Sequence, residues 1–214
     1  LAADTNANEC DAPSLLMSRI PGKVQLAHSV YEAGMPQLAK TLYRIHQTPI
    51  PTDFRWEYAP YTPIHEMTVP NWTTNPDDWK KALHFVRHST PSYTPVFIHR
   101  DYHPTNILWD DGKLSGVVDW INACRGPALV DVAHCRMNFA LLYGFATADS
   151  FLKAYLNENP MDYTPYWDIL SVFDFVDEEM DVYEGWTDLG YTELSSSLMK
   201  SRAEDYIRYL CQFI

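Results

Sequence analysis

His99-Arg100-Asp101-Tyr102-His103-Pro104-Thr105-Asn106 and, one hairpin later, Val117-Val118-Asp119-Trp120 are the stretches that decide how this chain is read. Val96-Phe97-Ile98, just upstream, is a short apolar strand entered through Pro91 and Pro95. Ile107 to Trp109 and Leu114 to Val118 read as two more strands, because Asp110-Asp111-Gly112-Lys113 between them is a strong hairpin turn signal. Asn106 immediately precedes this hairpin and Asp119 immediately follows it. Antiparallel pairing therefore brings an amide oxygen and a carboxylate to one point, the donor set a hard, oxygen-preferring cation requires. Asp101 follows a buried strand on the same loop, placed to act as a base beside a metal without being consumed as its ligand.

Working outward, Ser14-Leu15-Leu16-Met17 reads as a short buried strand stopped by Pro21-Gly22, and the polar stretch before it, through Asp11, as frayed chain. Leu38, Leu42 and Ile45 fall at helical spacing and predict a helix over 35–46. The Pro- and aromatic-rich segment 48–76 reads as a long ordered loop with at most a short helix. Asp77-Asp78 open a helix to about His88, with Trp79, Leu83 and Val86 on its inner face. Downstream of Pro127 the chain predicts helices over 127–144, 147–158, 166–182 and 192–212. The fold class is α+β, predominantly helical, with a few short strands in the middle.

Composition sets the limits. The 214 residues suffice for one large domain or two small ones, and 46% apolar content with 14% aromatics builds a real core. No segment reaches the apolar length of a membrane span, and Leu1-Ala2-Ala3-Asp4 has neither the basic region nor the apolar run of a secretory signal. The chain does not begin with Met, so a piece of a longer protein is expected. Cys10, Cys124, Cys135 and Cys211 are scattered without a Cys-x-x-Cys pair, which reads as reduced thiols in the cytoplasm. A net charge of −12 argues against nucleic-acid or anionic-membrane partners and is compatible with a cationic substrate.

The Asp, Asn, Asp arrangement matches the phosphoryl-transfer template of kinases, and the string His-Arg-Asp-x-x-x-x-Asn is the protein-kinase catalytic-loop pattern. His103 in place of the usual Lys, Asp119-Trp120 in place of Asp-Phe-Gly, and the absence of an Ala-Pro-Glu-like segment disfavour a protein kinase. His99-x-Asp101-x-His103-Pro104-x-Asn106, with Asp119-Trp120 through Gly126-Pro127 to Asp131, instead resembles the aminoglycoside phosphotransferase and choline kinase superfamily. Pro13 to Gly22 looks like that family's hinge and Leu38 to His46 like its first large-lobe helix, so the resemblance runs from about residue 13 to at least 158.

The resemblance implies the C-terminal, large lobe of a protein-kinase-like fold with a short catalytic β-hairpin. Residues 1–21 would be a remnant of the small lobe and hinge, and 22–214 the large lobe. It also implies an ATP- and Mg²⁺-dependent phosphotransferase acting on a hydroxyl of a small molecule: an aminoglycoside-like compound, an amino alcohol or a sugar. Asp101 would be the catalytic base, Asn106 and Asp119 the magnesium ligands. Leu108 and Val118 would lie against adenine, with Ser18, Arg19 and Ile20 as hinge contacts. His99 and Asp131 would brace the loop; His103 either braces it too or approaches the transferred phosphate.

The family pattern is incomplete at the N-terminus. A phosphate-covering loop, a phosphate-binding Lys and its Glu partner belong before the hinge, yet the first glycine is Gly22 and the first lysine Lys23. Two readings follow, a fragment of a longer enzyme or a non-catalytic binding module derived from a kinase. The acidic run containing Asp174, Asp177 and Glu178 also has two readings: a cradle for substrate ammonium groups, or a solvated helix face with Phe173, Val176 and Met180 turned inward.

Overall fold

The computed structural model describes residues 2–176 and 179–214. The elements are β1 (Ala2–Asp4), β2 (Ser14–Leu16), α1 (His28–His46), α2 (Pro76–His88), β3 (Pro95–Ile98), β4 (Ile107–Asp110), β5 (Lys113–Val117), β6 (Cys124–Pro127), α3 (Ala128–Tyr143), α4 (Phe145–Glu158), α5 (Tyr166–Phe175), α6 (Glu184–Asp188) and α7 (Ser196–Leu210). Three two-stranded antiparallel ribbons, β1-β2, β3-β6 and β4-β5, stand against a helical body. No described helix is long and apolar enough to cross a membrane.

α3 is the axis of that body. Its sequence is apolar nearly all round, as a helix enclosed on every side must be, and almost every residue from Ala128 to Leu142 is buried. α1, α4, α5 and α7 all pack on it. Trp79, Trp109, Tyr31, Tyr102, Phe139 and Phe151 fill the gaps with scarcely any exposure. Gly144 at φ +95 separates α3 from α4, a conformation open to glycine and costly for other residues.

Several expectations need correction. The stretch through Asp11 is not frayed: Ala2–Asp4 pairs with Ser14–Leu16, and the Asp4 carboxylate accepts the N–H groups of Asn8, Glu9 and Cys10 at 2.8–2.9 Å. β2 is exposed rather than buried, with Leu15, Leu16 and Met17 all more than 60% accessible. α1 starts at His28, a full two turns before the apolar periodicity starts, and carries Pro36 inside it. Gly34 is what allows the close approach there, since a Cβ would run into the Trp109 ring. The helix expected over 166–182 ends at Phe175, and α6 is a separate short helix. β6 was not anticipated; it pairs with β3 in the register Ile98↔Cys124 to Pro95↔Pro127.

The β4-β5 hairpin forms as its turn chemistry demands. Asp111 and Gly112 both take positive φ (+47 and +71), the conformation a tight two-residue hairpin loop needs. The register Ile107↔Val117 and Leu108↔Gly116 turns Ile107 and Val117 into the core. Asn106, Leu108, Gly116 and Val118 share the opposite face.

Candidate functional site

The loop after β3 is fixed from beneath by one carboxylate. Asp131, fully buried in the first turn of α3, accepts the backbone N–H of His99 at 2.7 Å and of Arg100 at 2.6 Å. His46 from α1 meets the same carboxylate at 3.1 Å and is itself held by the Tyr155 hydroxyl at 2.6 Å. These bonds hold Arg100 at φ +73, a left-handed conformation rare for a residue with a side chain. His99 carries the brace onward: its Nε2 donates to the Val118 carbonyl at 2.9 Å, and its Nδ1 accepts the Asp101 N–H at 3.3 Å. Burial pushes the His99 imidazole below its ordinary pKa, with Asp131 opposing, so it stays neutral and keeps that tautomer.

Asp101 and Asn106 meet at one end of the hairpin, and Asp119 follows its second strand. The Asn106 Nδ2 donates to the Asp101 carbonyl at 2.9 Å and to its carboxylate Oδ2 at 3.0 Å. With both N–H donors engaged, the Asn106 Oδ1 remains as an acceptor. Val118 donates its N–H to the Asn106 carbonyl at 3.0 Å, which puts Asp119, exposed and at φ +63, beside Asn106. An amide oxygen and a carboxylate are hard oxygen donors of the kind Mg²⁺ takes, an ion that binds few protein ligands and keeps its other positions for phosphate oxygens and water.

Two imidazoles face the other oxygen of Asp101. His134 Nε2 lies 3.1 Å and His103 Nε2 3.4 Å from Oδ1, and the donor atoms of the three residues fall within 4.8 Å of one another. Burial alone would raise the Asp101 carboxyl, but the hydrogen bonds and charges of His103 and His134 outweigh it and hold Asp101 far below the usual carboxylate range. Burial dominates at His103 and pushes its imidazole down. At neutral pH the site thus presents an ionised Asp101 beside a neutral His103.

The segment around Pro21 lies along the hairpin. Lys23 and Trp109 exchange backbone hydrogen bonds at 3.0 and 2.9 Å, and the Ser115 hydroxyl donates to the Pro21 carbonyl at 2.7 Å. Ile20 packs over Gly116, the cross-strand partner of Leu108; Leu108 and Val118 are partly buried, and Ser18 and Arg19 are exposed.

The model described as "Phosphotransferase enzyme family" matches residues 1–170. The chain belongs to the phosphotransferase enzyme family. Solved structures of low identity share its fold. A Ralstonia eutropha protein described as a candidate aminoglycoside phosphotransferase is 13% identical, covers 99% of this chain and 77% of its own, and superposes with a TM-score of 0.60. A thermostable variant of the aminoglycoside phosphotransferase APH(4)-Ia, bound to AMP-PNP and hygromycin B, is 16% identical over 89% of this chain and 70% of its own, with a TM-score of 0.57. A choline/ethanolamine kinase family protein from Mesorhizobium loti is 12% identical over 90% and 67%, with a TM-score of 0.56. No curated protein matches the chain. The fold is thus the kinase-like large lobe that the sequence motifs imply.

In this phosphotransferase chain the sequence reading missed His134, although its position held a signal. It follows Asp131 by three residues on α3, so both side chains emerge on one helix face toward the same loop. The reading also missed the cleft beside Asp101. Tyr58, Tyr61, Arg100, His134, Trp167 and Asp174 line a cavity of about 130 Å³ there. Asp174 belongs to α5 and sits half-buried, its carboxylate accepting the N–H groups of Thr62 at 2.8 Å and Tyr61 at 3.3 Å. Burial raises its carboxyl, with those two bonds opposing. Asp177 and Glu178 lie outside the described residues.

Proposed function

We propose that the chain carries the acceptor and metal half of an ATP-dependent phosphotransferase that acts on a hydroxyl of a small molecule. The observation that supports this best is the Asp101 carboxylate. It is fixed by Asn106 on one oxygen and by His103 and His134 on the other, and stays ionised beside a half-open cleft lined largely by aromatic rings. Asp101 orients the acceptor hydroxyl and takes its proton as the new oxygen–phosphorus bond forms and the bond to the ADP leaving group breaks. A carboxylate held so far below its usual pKa is a weak base, so its main contribution is orientation, with the proton transferred late. Asn106 and Asp119 hold Mg²⁺, which when bound neutralises charge on the nucleotide phosphates. Ile20, Leu108 and Val118 receive the adenine ring, with Ser18 and Arg19 beside it as hinge backbone. In this reading residues 1–21 are hinge and small-lobe remnant and 22–214 the large lobe. His103 and His134 keep Asp101 ionised and aimed, and His99 and Asp131 keep the loop in place.

Mg²⁺-dependent transfer of the ATP γ-phosphate by the full-length protein to a panel of hydroxylated amines, sugars and acids tests the reading. Aminoglycosides, amino alcohols and sugars are the acceptor classes to place first. Transfer that depends on Asp101, Asn106 and Asp119 is the expected outcome. A protein that binds no nucleotide, or whose turnover ignores all three residues, is a kinase-derived binding module instead.

A further inference from the structure

Arg100 carries two costs at one position. Its backbone is left-handed, a conformation that disfavours a residue with a side chain and that glycine would adopt freely. Its side chain is almost wholly out of solvent, the residue being 6% exposed. Among the described residues no carboxylate forms an ion pair with it, since the carboxylate in the same cavity, Asp174, is turned to the backbone of Tyr61 and Thr62. The guanidinium is held by aromatic faces, with Tyr61 at 4.0 Å and Tyr58 at 4.4 Å from the guanidinium carbon to the ring centroid, and with the Tyr58 hydroxyl as its polar neighbour. Asp174 attracts it across the cavity without contact; a buried cation with no carboxylate in contact is expensive, and strain of this kind clusters at functional sites.

The surroundings say what would use it. Arg100 lines both the cavity of about 130 Å³ beside Asp101 and a larger, more open one of about 800 Å³ that reaches Trp56 and Trp120. The smaller cavity is shared with His134, whose imidazole lies 3.1 Å from the Asp101 carboxylate, so Arg100 stands on the His134 side of Asp101. A guanidinium pinned by rings presents a rigid fork of N–H donors, matched in plane and charge to one carboxylate. We propose that Arg100 is an acceptor-recognition residue: the acceptor bears a carboxylate that pairs with the Arg100 guanidinium, and an apolar or aromatic body that packs on Tyr58, Tyr61 and Trp167. The inference rests on reading the site as a hydroxyl phosphotransferase and narrows its acceptor to hydroxy acids.

The test uses three ligands of one skeleton, 4-(hydroxymethyl)benzoate, its primary amide and 4-(hydroxymethyl)benzylamine. Their dissociation constants are measured by calorimetry without nucleotide, for the full chain, Arg100→Gln and Arg100→Gly. The glycine variant keeps the left-handed backbone, and thermal melting confirms that each variant is folded. The expected result is that the benzoate binds at least about tenfold more tightly than the amide, as a charge-assisted pair provides. Both variants lose that preference and bind the amide as before. No binding of the benzoate, equal binding of benzoate and amide, a preference for the amine, or a preference that survives both substitutions overturns the proposal. Because no nucleotide is present, the outcome separates from the kinase reading. Failure of phosphoryl transfer leaves a carboxylate preference standing, and failure of the preference leaves Asp101-dependent transfer standing.

Discussion

Arg136 and Arg100 are both buried arginines, and they are buried in opposite ways. Arg136, on α3, pairs with Asp168 at 2.7 Å, donates to the Tyr163 hydroxyl at 2.8 Å and to the Ala148 carbonyl at 3.2 Å, and is sealed from solvent. Tyr206 completes that cluster with a 2.7 Å bond to Asp168. Every strong partner is internal, and the result is a polar rivet through the core. Arg100 has rings for neighbours, a strained backbone and two cavities at its edge. The difference shows how to separate a charge that holds the fold from one that awaits a ligand. Burial is common to both; a carboxylate in contact with the guanidinium is not.

Substitution by an apolar residue of similar length sharpens the contrast. Arg136→Met strands the Asp168 carboxylate in the core and is expected to destabilise the fold by about 3–5 kcal/mol. Arg100→Met loses the Tyr58 hydroxyl contact and the attraction to Asp174 but breaks no contacting ion pair, so denaturant unfolding should show a smaller loss, of about 1 kcal/mol. Equal losses at the two sites would break the comparison.

Asp131 lies between these extremes. Asp131→Asn replaces one acceptor oxygen by a donor under the His99 and Arg100 N–H groups, and should cost about 1–3 kcal/mol. Unlike Arg136→Met, it should also lower the transfer rate of the molecules that remain folded, because the loop carrying Asp101 loses its brace.

pH probes the same loop. His99 and His103 are pushed below the ordinary imidazole range mainly by burial. The unfolded chain therefore binds protons first, near pH 6.5, and stability is full above about that pH and declines below it. Asp101, held low despite its burial by His103 and His134, contributes stability above the unfolded carboxylate value of about 3.9 and loses it as pH falls further. Melting temperature should be flat from about pH 8 to 6.5 and fall below that, less steeply in His103→Gln. The smallest effect belongs to a plain helix cap: Ser195 accepts the Leu198 N–H at 3.2 Å at the start of α7, and Ser195→Ala should cost about 1 kcal/mol without altering turnover.

The hairpin and its three polar residues were legible in the sequence because every signal for them is local. A turn dipeptide, two short apolar runs and the residues flanking them lie within twenty positions of one another. What escaped depended on distant partners. β6 is Cys124-Arg125-Gly126-Pro127, without alternation or β-branched residues, and is a strand only because β3 pairs with it. The first turns of α1 were hidden by Gly34 and Pro36, whose helix-breaking tendency is overridden by packing against Trp109. The apolar spacing of Phe173, Val176 and Met180 suggested a longer α5 than the ten residues observed. The cleft is the clearest case: Tyr58 and Tyr61 come from an irregular loop, His134 from α3 and Asp174 from α5, and only the tertiary fold puts them around Arg100.

The central claim is that Asp101 orients a hydroxyl for phosphoryl transfer, and Asp101→Asn tests it most directly. The asparagine keeps the size of the side chain and leaves Asn106 with a partner, so the variant should fold, melting somewhat below the parent because the charged contacts to His103 and His134 are lost. Mg²⁺- and ATP-dependent transfer to the hydroxyl acceptor should fall by about 10²–10⁴-fold, the contribution of a positioned general base. A parent protein that transfers no phosphate to any acceptor, or an Asp101→Asn variant that turns over as fast as the parent, would contradict the account.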